Sequence, residues 1–134
     1  MPCHGAHAVF AVITLAAVQP AAAAPAVAVR IGGDAELDAC PSLGAVVGLD
    51  PKGDNFLSVR SGPGGTPYRE TDRIGTGRRV AICADRGAWL GIVYPQGDGP
   101  VNCGVATPVP RPSAYRGPCR SGWVHRRHVR VIAG

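Results

Sequence analysis

An all-β fold is predicted by three observations on this chain of 134 residues. Apolar and polar residues alternate in three short runs, at Leu57 and Val59, at Val80 and Ile82, and at Leu90 and Ile92. A period of two places each pair on one face of a strand. Glycine and proline interrupt the runs, most densely at Ser61-Gly-Pro-Gly-Gly-Thr-Pro67, which cannot hold a regular element. Finally, Cys40, Cys83, Cys103 and Cys119 follow an apolar N-terminus, the pattern of a small exported domain stapled by disulfides. Short strands joined by turns describe a small barrel or sandwich.

The N-terminus comes first. Residues 1–24 contain no Asp, Glu, Lys or Arg, and residues 8–18 form an apolar run of 11 residues, too short to span a bilayer. Small-x-small sites lie between Ala22 and Ala28. Residues 1–26 therefore read as a secretory signal peptide, with a mature chain starting between Ala23 and Val29. The segment before the apolar run holds histidines but no Lys or Arg, a departure from the usual leader. Pro20 and Pro25 argue against a buried alanine-rich helix. Cys3 precedes the apolar run and has no lipobox context. The expected location is periplasmic or secreted. About 108 residues remain after cleavage, one domain near the lower end for a self-sufficient core.

Residues 27–55 form an N-terminal extension. Asp34-Ala-Glu-Leu-Asp-Ala-Cys40 allows one short turn of helix, and Ala45-Val-Val-Gly-Leu49 reads as a strand. Asp50-Pro-Lys-Gly-Asp-Asn55 is a turn by composition. Asp50 and Asp54 lack the spaced ligands and terminal Glu of a calcium loop.

The strands that follow carry a resemblance. Leu57, Val59, Arg60, Gly62 and Pro63 are followed by Tyr68, Ile74, Gly77, Val80, Trp89 and Ile92, and Gly122-Trp-Val124 closes the series. In residue type and spacing this resembles the bacterial SH3-like (SH3b) domain family, over a little under half of the chain. The resemblance implies a small, partly open SH3-like barrel over residues 56–134. It also implies a non-enzymatic binding module that contacts peptidoglycan or a cell-envelope protein. Leu57, Val59, Ile74, Val80, Ile82, Leu90, Ile92, Val124 and Val129 are its expected core. Tyr68, Trp89 and Trp123 are aromatic candidates for ligand contact.

The main departure from that family is an insertion over residues 95–121. Six prolines (Pro95, Pro100, Pro108, Pro110, Pro112 and Pro118) predict extended loop rather than added sheet. A loop this long inside a compact domain is usually functional or disordered, and cysteines at 103 and 119 favour order. Four cysteines permit three connectivities. Cys103–Cys119 is favoured because it brackets a segment too irregular to order itself, which leaves Cys40 for Cys83. The competing reading, zinc on Cys103, Cys119, His125 and His128, suffers from a two-residue gap between histidines that would face opposite sides of a strand. Neither metal nor cofactor is expected. Within the insertion, Tyr115 and Arg116 are residue types common at binding hot spots, and they join the candidate site.

Charge is divided along the chain. Residues 30–98 hold 8 basic and 9 acidic residues, and residues 99–134 hold six arginines and no acid. A basic C-terminal segment points to an anionic surface as partner, and export argues against nucleic acid. Ser58, Ser61, Ser113 and Ser121 lie in no nucleophile elbow, and the acids cluster in turns without a catalytic pairing. A binding module is thus expected, with a purely structural, disulfide-stapled envelope domain as the alternative.

Overall fold

A computed structural model describes residues 1–20 and 22–134. Residues 1–20 carry no regular structure and are exposed, and residue 21 of the expected leader lies outside the described residues. No helix among the described residues is long and apolar enough to cross a membrane.

The remainder is all-β. Its strands are β1 (Arg30–Ile31), β2 (Ser42–Val46), β3 (Leu57–Arg60), β4 (Glu70–Ile74), β5 (Arg79–Arg86), β6 (Trp89–Tyr94), β7 (Ser113–Ala114), β8 (Arg120–His125) and β9 (Val129–Ala133). A 3-10 turn, Arg126–His128, separates the last two. Seven strands form one antiparallel sheet in the order β4-β3-β8-β6-β5-β2-β9, and β1 and β7 form a two-stranded sheet of their own. β4 and β9 are free edges with no ladder between them, so the sheet does not close into a barrel. It curls instead. Val46 on β2 and Ile74 on β4 share one hydrophobic cluster although their strands stand sixth and first in the order.

Two cores result, one on each face. The inner cluster gathers Val46, Leu57, Val59, Ile74, Val80, Leu90, Ile92, Tyr94 and Val124, with Ile82 and Val129 packed against it. The outer cluster gathers Val29, Ala39, Cys40, Ala81, Val93, Cys103, Val105 and Trp123. Strand β6 lies between them, and every residue from Leu90 to Tyr94 is buried. Leu90, Ile92 and Tyr94 pack into the inner cluster and Val93 into the outer, so the expected apolar–polar alternation gives way here to apolar residues on both faces.

The outer core revises several expectations. Residues 27–55 are integral to the architecture, because β2 sits between β5 and β9 in the main sheet. That strand begins at Ser42, before the expected Ala45, and ends at Val46 ahead of Gly48, whose φ of 70° turns the chain. Residues 34–40 are not helical: the Asp34 carboxylate accepts from the Glu36 and Leu37 amides at 2.7 and 3.2 Å, an Asx turn that competes with helix. Proline composition predicted no added sheet in the insertion, yet Ser113 and Ala114 pair with Ile31 and Arg30. The prolines flank this short ladder and do not interrupt it. Backbone bonds from Ala39 to Thr107 and from Cys40 to Val105 (2.8 and 3.1 Å) complete the union of extension and insertion into one outer layer.

Both disulfides belong to that layer. Cys40 is bonded to Cys83 and Cys103 to Cys119. Cys83 occupies a bulge in β5, where Ile82 faces Ile92 and Ala84 already faces Gly91. The extra residue breaks strict alternation, so Cys83 and Ala84 both pack on the outer cluster. Alternation from Ala81 places Cys83 on the outer face, toward Cys40, and the bulge adds Ala84 beside it.

Candidate functional site

Strand geometry brings His125 against Trp89, because the two are paired residues across β6 and β8. Trp89 opens β6 after a two-residue turn at Gly87-Ala88, in which Gly87 adopts a φ of 66°. Arg126 fastens this turn: its Nε donates to the Gly87 carbonyl at 2.7 Å, and its guanidinium forms an ion pair with Asp85. That pair holds the exposed Asp85 carboxyl below the ordinary range. The Trp89 and His125 rings meet edge to face, with centroids 5.4 Å apart.

These residues form one end of a groove of about 380 Å³. Asp50, Asp54 and Phe56 of the loop that carries the chain into β3 also line it, together with Arg60, Arg127 and His128. Asp50 shapes the loop by accepting from the Lys52 amide at 2.9 Å. The lining thus combines an aromatic pair with carboxylates and guanidinium groups. Arg127 is exposed and is in none of the ion pairs among the described residues, which are Arg73–Glu70, Arg78–Asp98, Arg120–Asp72 and Arg126–Asp85.

His125 is held in one tautomer by its cap. Its Nδ1 accepts from the Arg127 amide at 3.2 Å, so that nitrogen carries no proton and Nε2 is the donor. Partial burial, with the positive charges of Arg127 and His128 beside it, pushes the imidazole below its ordinary value. The hydroxyl of Ser58, also in the groove, donates to Glu70 and not to His125. The arrangement supplies stacking and hydrogen-bonding surface.

The five residues singled out from sequence fall in different places. Trp89 lines the groove. Tyr68 lies half-buried against Gly62 and Gly64 in the loop between β3 and β4, and Arg60 donates to its carbonyl at 2.7 Å. Tyr115 and Arg116 border a shallow basin with Arg30 on the outer layer. The Tyr115 hydroxyl is engaged inside the Cys103–Cys119 ring, donating to the Cys103 carbonyl at 2.9 Å and accepting from the Cys119 amide at 3.2 Å. Trp123 is buried, 1% exposed, beneath the outer layer, and its indole donates to the Val27 carbonyl at 2.8 Å. Trp123 is a core residue and does not offer the ligand-contacting surface expected from the sequence, because the outer layer covers it.

The basic C-terminal segment does not form one face. Arg120 and Arg126 pair with Asp72 and Asp85 from the acidic half of the chain. Arg111 and Arg116 flank β7, Arg127 borders the groove, and Arg130 lies on β9. Cys103 and Cys119 are joined to each other and are not available as zinc thiolates. Phe56 and Arg127 have no signal as site residues in the sequence, and His125 enters it only as a member of the competing zinc set. The usable signal was strand pairing, since a partner for Trp89 had to come from the strand around Trp123. Comparison with family models, curated proteins and solved structures finds no match to this chain.

Proposed function

We propose that this chain is an exported, non-enzymatic binding module of SH3b type, periplasmic or secreted, whose groove beside Trp89 contacts peptidoglycan or a cell-envelope protein. The observation that carries this reading is the groove itself: a half-buried indole shares its lining with carboxylates and arginines, and Arg127 is in no ion pair among the described residues. Concave, partly apolar surfaces with a few convergent polar groups are the usual form of a ligand site. The SH3-like assignment draws support from the inner core, where Leu57, Val59, Ile74, Val80, Ile92 and Val124 of the family pattern meet in one cluster. Two disulfides agree with a compartment outside the cytoplasm.

A second reading has its own observation. Both disulfides and the added β1–β7 ladder lie in the outer layer and not at the groove. This favours a rigid structural domain of an envelope assembly, with Tyr115 and Arg116 on its protein-facing side. Co-sedimentation with purified peptidoglycan separates the two readings. The binding module predicts saturable pelleting, competed by soluble fragments and weakened at least tenfold by Trp89→Ala. Pelleting that neither saturates nor responds to Trp89→Ala would favour the structural domain.

A further inference from the structure

The geometry points to a processing site at the Ala23–Ala24 peptide bond, cut by a peptidase that reads small side chains, with residues 24–29 kept as a strap over Trp123. This rests on the export reading above. Water adds across the bond, leaving a carboxylate on Ala23 and an α-ammonium on Ala24.

Sequence alone leaves several bonds open, because small residues recur at 21–24, 26 and 28. The structure distinguishes their products. Val27 is anchored twice: its amide donates to the Ser61 carbonyl at 2.8 Å, and its carbonyl accepts from the Trp123 indole at 2.8 Å. Val29, two residues on, is 2% exposed and accepts from the Tyr115 amide at 2.8 Å. Cleavage after Ala28 would remove Val27 and leave a buried indole N–H without its acceptor, a costly state for a polar group in an apolar cluster.

Cleavage after Ala26 would keep Val27 but discard the first anchor of the strap, the bond from the Ala24 amide to the Pro67 carbonyl at 3.2 Å. Cleavage after Ala24 requires hydrolysis of the tertiary amide bond to Pro25, which has no N–H to offer a peptidase. Cleavage after Ala23 avoids all three costs. Small side chains stand at Ala21 and Ala23, and the apolar run ends just upstream at Pro20. Residues 22 and 23 are exposed, while burial begins at Ala24. The new ammonium retains the Pro67 carbonyl as its acceptor.

The full chain, expressed with its own leader in a bacterial host, tests the site by N-terminal sequencing and intact mass of the exported product. The expected first residue is Ala24. A product beginning at Val27 or Val29 overturns the inference while export stands, whereas intact Met1 in the cytoplasm overturns the export reading and this site with it. The strap is tested in a Trp89→Phe background, where Trp123 is the only tryptophan. Oxidised chains starting at Ala24 and at Val29 are compared by indole emission. A red shift in the shorter chain alone is expected, and equal spectra overturn the strap's role.

Discussion

Trp123 and Gly91 face each other across β8 and β6, and the pairing shows how a single side chain organises the outer core. A Cβ on Gly91 would lie 3.3 Å from the Trp123 ring, 3.2 Å from Val29 and 3.0 Å from Ala84, so the missing side chain is the space the indole and its neighbours fill. Trp123→Ala should cost roughly 3–5 kcal/mol in chemical denaturation, through lost transfer energy and the cavity left behind. Gly91→Ala should cost about 1–3 kcal/mol by overpacking. His125 carries a different prediction. Its imidazole titrates below its ordinary value in the folded state, so as pH falls the unfolded chain takes up the proton first. Its contribution is therefore fully present above about pH 6.5 and is lost as pH falls through the folded value. His125→Asn, which can cap the 3-10 turn without titrating, should flatten the fall in melting temperature between about pH 7 and 5. An unchanged pH profile in that variant would remove His125 as the cause.

Among the elements, β5 and β6 carry the link between the two faces. The two strands were legible because Val80 and Ile82, and Leu90 and Ile92, recur with a period of two, and all four pack in or against the inner core. The bulge at Cys83 was not legible, since nothing in Ile82-Cys-Ala84 marks an extra residue; it emerges only from the register with β6. β7 was hidden for a similar reason, because proline composition speaks for extended backbone and not for the partner that a two-residue ladder finds. The cysteines were easier to read. An irregular stretch between 103 and 119 needed closure, and the remaining pair then joined the extension to the sheet. With separations of 16 and 43 residues, loop-closure entropy assigns about 3 kcal/mol to Cys103–Cys119 and about 4 kcal/mol to Cys40–Cys83. Paired Cys→Ser variants should therefore lose stability in that order, as measured by the urea midpoint. The groove should keep its shape in Cys103→Ser with Cys119→Ser, because that bridge lies in the outer layer and the groove opens at the β3 and 3-10 turn side.

For the whole molecule, one curled sheet serves two roles. Its inner face closes on the core that the apolar alternation announces, and its outer face is roofed by segments whose composition announces only loops. The roof conceals Trp123, so of the two tryptophans only Trp89 remains available to a partner. Period-two patterning could find the strands but not which tryptophan a second layer would cover, because that depends on contacts between residues far apart in the chain. Likewise the arginine-rich segment reads as one basic face only until Asp72 and Asp85 are brought to it. Binding of an envelope ligand in the Trp89 groove, as proposed, is tested most directly by a titration of the oxidised protein with soluble peptidoglycan fragments, followed by NMR of the two indole N–H groups and the His125 ring. Saturable shifts at Trp89 and His125, with Trp123 unmoved, are the predicted result. Absence of shifts at millimolar fragment, or shifts confined to Tyr115 and Arg116, would contradict it.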